Sequence, residues 1–182
     1  MINTLIRFAM RQRVIVLFGA ALYWGVGSAD AELLRGCTYC VVPGAPDGMA
    51  ALDALIAAVG ARRLVVNAEE HDRAVAAASH LPFVVASALV RAVGADLQGL
   101  AGDVAAGGFT DTSRVAQASP AMHADICNYN APAVADMIAR FEVELARLKA
   151  HLAERSIEDD FVGAADLRRR WREGRITAGA AR

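Results

Sequence analysis

Apolar positions along this chain change period several times, and each change marks an element. Cys37 to Val42 is a short apolar, aromatic and β-branched run closed by Pro43-Gly44, which predicts a strand and a turn. From Asp47 to Val59 the residues Met49, Leu52, Leu55, Ile56 and Val59 recur at helical spacing, and Gly60 stands where a C-capping glycine belongs. Leu64-Val65-Val66 is a second strand, so these residues form a βαβ unit with a parallel pair. Beyond Asn67 the pattern predicts helices only. Glu69 to Val93 reads as one long alanine-rich helix, with Pro82 inside it. The missing N–H and the ring of Pro82 predict a kink near residue 78.

Gly94 and the stretch Gly99 to Gly108 predict a flexible connection. Thr110 or Asp111 is the expected cap of a short helix running to Gln117, and Ser119-Pro120 opens another. Ala131 to Leu152 is the most regular helix. Val134, Met137, Ile138, Phe141, Leu145, Leu148 and Leu152 line one face, while Asp136 and Arg140 pair one turn apart on the outer face. A stripe of this length must pack on other helices, and those of a second subunit qualify.

Composition strengthens the helical reading, since 40 of the 182 residues are alanine. Charge narrows the partners. Residues 1–13 hold three Arg and no acid, residues 14–160 hold 10 basic against 18 acidic groups, and residues 161–182 hold six Arg against Asp166 and Glu173. An acidic main body offers no phosphate-binding face, so nucleic acid is not an expected partner. The run Arg168-Arg169-Arg170-Trp171-Arg172 reads as a solvated helical tail.

The N-terminus has its own pattern. Arg7, Arg11 and Arg13 precede an uncharged run, Val14 to Ala29, and Ala29-Asp30-Ala31 has the form of a cleavage site. This run is short for a membrane span. It nevertheless keeps open a reading in which residues 1–31 export or anchor the chain, with membrane contact through residues 14–29. The opening from Met1 to Arg13 also resembles the start of heavy-metal efflux pumps of the resistance-nodulation-division type, a likeness confined to about the first 17 residues.

Few motifs carry chemistry. Cys37-x-x-Cys40 lies on a strand, where the two side chains point to opposite faces, so no metal site is expected. Gly25-Val26-Gly27 has Asp30 where a dinucleotide fingerprint needs its third glycine. His71 and His80 lie nine residues apart, on opposite faces of a straight helix, so a shared site requires the kink or another chain. Gly107-Gly108-Phe109-Thr110-Asp111-Thr112-Ser113-Arg114 is the most informative window. Its glycines permit close approach, a helix start offers N–H groups to an anion, and a guanidinium grips a carboxylate with two hydrogen bonds. A capped helix with an exposed Arg is the alternative at this point.

The same window, Ala106 to Ala116 followed by Ser119-Pro120 and Asp125-Ile126, resembles the substrate-site segment of prephenate and arogenate dehydrogenases. Glu70-His71-Asp72-Arg73-Ala74-Val75 and Ser79-His80-Leu81-Pro82 are similar to that family's helical domain. Ala29 to Gly36 and the strand ending Val41-Val42-Pro43 resemble the end of its nucleotide-binding domain. The likeness runs from about Gly25 to Leu152. The chain departs from the family pattern at Phe83, where the family has a second His, and at His123-Ala124, where it has Trp-Arg. It also has no counterpart of the glycine fingerprint or of the catalytic His.

The resemblance implies a mainly α fold: a helical dimerisation domain like the C-terminal domain of 6-phosphogluconate dehydrogenase, preceded by a small βαβ remnant of a Rossmann domain. It divides the chain into a hydrophobic segment 1–24, a nucleotide-binding remnant 25–67, a helical substrate and dimerisation domain 68–155 and a basic tail 156–182. It implies a protein of tyrosine biosynthesis, an oxidoreductase that oxidatively decarboxylates prephenate or arogenate with NAD or NADP. It also implies that this chain is truncated, and weakly active or inactive alone. Arg114 and His80 would then contact substrate, with Gly107, Gly108, Asp111 and Thr112 shaping the corner, and His71 would sit at the cofactor side. No residue is assigned to catalysis or to a metal. A homodimer and a cytoplasmic location follow from the same resemblance. The alternatives are a non-catalytic helical interaction module and an exported or membrane-anchored helical protein.

Overall fold

The computed structural model describes residues 34–43 and 49–180. The readings of residues 1–31, of Gly25-Val26-Gly27 and of the turn at Gly44 lie outside the described residues. The chain divides into two compact units, one ending at Asn130 and the other starting at Ala131.

The first unit opens with the expected βαβ element. Strand β1 (Thr38–Val41) runs parallel to β2 (Arg62–Val65), with Thr38 opposite Arg62 and Val41 opposite Val65. Alternation along β1 buries Tyr39 and Val41 on one face, where they meet Ile56 of helix α1 (Met49–Ala58) and the partly buried Met49, Leu52 and Val59. Gly60 ends α1 at φ +65°, a conformation open to glycine, and its carbonyl accepts from the Gly36 N–H at 2.8 Å. All of β2 is exposed, and Leu55, Leu64 and Val65 stay uncovered. That edge and face are of the kind that further strands normally cover.

The long helix is present from Ala68 to Val93 as three joined segments: α2 (Ala68–Val75), a π turn (Ala76–His80) and α3 (Leu81–Val93). Asn67 and Glu70 close its start as a reciprocal capping box: the Glu70 N–H donates to Asn67 Oδ1 at 2.8 Å, and the Asn67 N–H donates to Glu70 Oε2 at 3.3 Å. The break expected from Pro82 takes the form of the π turn. Leu81 N–H reaches back five residues to the Ala76 carbonyl just before Pro82, which has no N–H to continue the ladder. This helix is long and apolar enough to cross a membrane by length and composition. It instead carries two buried histidines and packs against the helical turns that follow it.

The glycine-rich connection folds into short turns: a 3₁₀ turn (Asp96–Gln98), α4 (Leu100–Val104), α5 (Gly107–Ser113) and a second 3₁₀ turn (Arg114–Gln117). The cap expected at Thr110 or Asp111 is replaced by Ala106, and α5 begins at Gly107. Phe109, in the first turn of that helix, is half-buried and lines one cleft with Val90 of the long helix. Ser119 caps α6 (Pro120–Tyr129) by accepting from Met122 N–H at 3.4 Å.

The second unit is a helical pair, α7 (Ala131–Glu154) and α8 (Glu158–Ala180). Asp136 and Arg140 form the expected outer-face ion pair at 2.7 Å. Arg155 turns the corner at φ +58°, and the N–H groups of Ser156 and Arg155 reach back to the carbonyls of His151 and Leu152, the pattern of a Schellman cap. Asp160, nearly buried, fastens the corner by accepting from His151 Nδ1 at 2.6 Å and from Arg147 at 2.9 Å. Along both helices Val143, Leu145, Leu152, Phe161, Val162, Leu167 and Trp171 remain exposed. The fold is therefore mainly helical with one small parallel pair.

Candidate functional site

The unusual chemistry of the first unit lies where α2, the π turn and the end of α6 meet. His71 and His80 are its buried polar side chains, 3% and 7% exposed. Buried polar groups of this kind are held by hydrogen bonds. His71 Nδ1 donates to Asp72 Oδ1 at 3.0 Å. Asn130, at the C-terminal end of α6, sends its amide to the Asp72 carbonyl at 2.7 Å and to His80 Nδ1 at 3.4 Å. A backbone carbonyl only accepts, so the Asp72 contact identifies the NH₂ end of Asn130. His80 Nδ1 is then an acceptor, and the proton of the neutral ring sits on Nε2.

Burial pushes the His80 imidazole below its ordinary pKa. The positive forms of His123 and His71 add to that effect, and Asp72 opposes it. The Asn130 amide, bonded to the Asp72 carbonyl and to His80 Nδ1, ties together the two helical turns that carry His71 and His80. His71 Nε2 is closed to solvent and has no hydrogen-bond partner.

Beside this network the rings of Phe83 and His123 stack at 3.7 Å with an interplanar angle of 12°. Phe83 lies three residues after His80, on the same side of the helix start. His123 Nδ1 donates to the Ser119 carbonyl at 3.0 Å. The two positions where the sequence departs from the family pattern therefore touch each other.

Arg114 stands elsewhere. It lines an open cleft of about 430 Å³ with Val90, Phe109, Thr110, Ser113, Ala116 and Gln117. Val90 is ten residues along from His80, roughly 15 Å of helix rise. Among the described residues, His80 is therefore not one of the side chains that line the Arg114 cleft. Asp111 and Thr112 are exposed on α5, and Thr112 Oγ1 donates to the Gly108 carbonyl at 2.7 Å. Gly107 and Gly108 need no special backbone here: neither has positive φ, and a Cβ added to either would meet nothing within 4 Å. Among the described residues nothing approaches them closely, and both lie in an ordinary helical turn. No group of three metal-ligating side chains is found among the described residues.

Sequence reasoning missed Asn130, whose partners lie 58 and 50 residues away. The available signal was a polar amide at a helix end, just before Ala131-Pro132. It also missed that Phe83 and His123 are neighbours, which no local spacing reveals.

The family model described as "Prephenate dehydrogenase, dimerization domain" matches residues 67–164. The chain is 30% identical over 142 residues to the prephenate dehydrogenase of Bacillus subtilis (strain 168), covering 75% of this chain and 38% of that protein. It is 34% identical over 98 residues to the cyclohexadienyl dehydrogenase of Zymomonas mobilis, covering 52% and 33% respectively. Synechocystis arogenate dehydrogenase superposes with a TM-score of 0.67 at 26% identity, over 77% of this chain and 54% of that one. The prephenate dehydrogenase of A. aeolicus, solved in complex with hydroxyphenyl propionate and NAD+, gives 0.65 at 27% identity, over 76% and 51%. The chain therefore spans between a third and about half of the length of these relatives.

Proposed function

The chain belongs to the prephenate dehydrogenase dimerization-domain family, and from that premise we propose that it supplies the substrate-facing, dimer-forming half of a prephenate- or arogenate-type dehydrogenase site. The observation that carries this reading is that the family match, residues 67–164, contains both the histidine network and the Arg114 cleft. Arg114 receives a carboxylate of the substrate. Asp111, Thr112, Gly107 and Gly108 form the exposed turn leading to it, His80 faces the substrate ring, and His71 stands at the cofactor side. The division of labour follows the charges. A guanidinium suits the anionic end of such a substrate, while an imidazole kept neutral by burial suits its uncharged ring.

The dinucleotide is a different matter. Its pyrophosphate needs helix N–H groups at a glycine-rich turn. The helix start after β2 is filled by the Asn67–Glu70 capping box, with Glu69 and Glu70 in the first turn, an arrangement that repels an anion. The sequence contains no GxGxxG. These residues do not fit NAD or NADP phosphates, so no hydride-transfer step is assigned to this chain alone. The exposed apolar side chains of α7 and α8 support burial against a second copy, and membership of this family supports a cytoplasmic location.

Purified chain with prephenate or arogenate and either nicotinamide cofactor is expected to give no NAD(P)H absorbance, and light scattering is expected to give a dimer. Steady turnover would refute the claim of inactivity alone, and a strict monomer would refute the dimer.

A further inference from the structure

The chain has four histidines, and their Nδ1 atoms fall into two hydrogen-bonding senses. His71 faces an Asp72 carboxylate oxygen at 3.0 Å, His123 the Ser119 carbonyl at 3.0 Å and His151 an Asp160 carboxylate oxygen at 2.6 Å. Those oxygens only accept, so the three rings donate from Nδ1, and they go on donating when protonated. His80 alone accepts, from the Asn130 amide at 3.4 Å. A proton on its Nδ1 sets donor against donor. Asn130 cannot answer by turning its amide end for end. The same NH₂ group donates to the Asp72 carbonyl at 2.7 Å, and the amide oxygen would then face that carbonyl. The two bonds are therefore lost together.

We propose that protonation of His80 releases Asn130 and parts the C-terminal end of α6 from the π turn, an acid-opened latch within the first unit. The latch needs no ligand and stands apart from the substrate-site reading. The stacked rings of Phe83 and His123 hold α6 nearer its start, so opening is confined to the end at Asn130. The titratable groups facing His80 are His71 and Asp72 on α2 and His123 on α6, and α3 carries none from Leu81 to Val90. Burial and the two neighbouring imidazoles disfavour the charged ring, Asp72 favours it, and the net direction is downward from the ordinary 6.5. The latch is thus shut at neutral pH, where the ring is uncharged, and opens as pH falls through a value below 6.5.

The test is a series of ¹H–¹⁵N spectra of the intact chain from about pH 8 to about pH 5, the range in which imidazoles titrate. The Asn130 side-chain NH₂ resonances are expected to move with the same midpoint as the His80 ring. The Asn130 backbone N–H, bonded to the Ile126 carbonyl at 3.2 Å, reports the opening by hydrogen exchange. Corrected for intrinsic rates, its exchange is expected to accelerate relative to α1 by up to about tenfold for each pH unit below the midpoint. His80→Gln is expected to leave both readouts flat. Asn130→Ala is expected to raise the His80 midpoint by about half a unit, because the neutral ring loses its donor.

An Asn130 amide that stays put while His80 titrates would overturn the latch. So would a His80 midpoint unmoved in Asn130→Ala, or a ring that stays neutral until the whole chain unfolds. Titration of Asn130 that persists in His80→Gln would reassign the event to His71 or His123 and overturn the proposal. Should either variant not fold, the wild-type midpoints decide the matter: coincident values support the latch, and separate ones overturn it.

Discussion

Replacing Asn130 by Ala removes the side chain that ties the end of α6 to the long helix. The 2.7 Å bond to the Asp72 carbonyl and the 3.4 Å bond to His80 Nδ1 both disappear. A net hydrogen bond of good geometry contributes about 0.5–1.5 kcal/mol, and the longer one contributes toward the low end of that range. His80 is buried, so its Nδ1 is left without a donor and adds to the loss. The expected destabilisation is about 1–2 kcal/mol, or roughly 3–6 °C in melting temperature for a chain of this size. Asn130→Asp should cost more, about 3 kcal/mol, because an oxygen replaces the NH₂ that faces the Asp72 carbonyl. Urea unfolding followed by circular dichroism measures both variants against wild type. If both fall within about 0.5 kcal/mol of wild type, the range of an ordinary surface substitution, the network described around His80 is wrong.

Two further expectations concern stability. His80 has its pKa held below the ordinary 6.5 in the folded chain, so the unfolded chain takes up its proton first on acidification. Its contribution is complete above about pH 6.5 and is lost as pH falls below that value, with a slope of at most about 1.4 kcal/mol per pH unit. His80→Gln should flatten that part of a stability–pH curve, and an unchanged curve would count against the burial argument. Arg155→Gly should stabilise the corner between α7 and α8 by about 1 kcal/mol, since φ +58° strains a residue with a Cβ, and a loss of stability in urea would refute that.

How much of this was legible beforehand depends on the reach of each interaction. The parallel pair, the Gly60 cap, the Ser119-Pro120 start and the Asp136–Arg140 pair all follow from neighbours within a few residues, and the structure has each of them. Pro82 announced a break but not its form. The π turn depends on Leu81 N–H finding the Ala76 carbonyl, a choice between two registers that sequence leaves open. Glycine at 107 and 108 suits the flexible connection that the sequence predicts, yet both residues fall in the first turn of α5, with Phe109 half-buried after them. Asn130 and the Phe83–His123 stack were invisible because their partners are brought together only by the packing of α6 on the π turn.

The central claim is that Arg114 holds a carboxylate for this family's type of substrate. Calorimetric titration of prephenate into wild-type chain and into Arg114→Ala tests it most directly. Charge-assisted hydrogen bonds contribute about 1.5–3 kcal/mol, so the variant should bind at least about tenfold more weakly. Equal affinity in the two proteins, or no affinity in the wild type, would contradict the account.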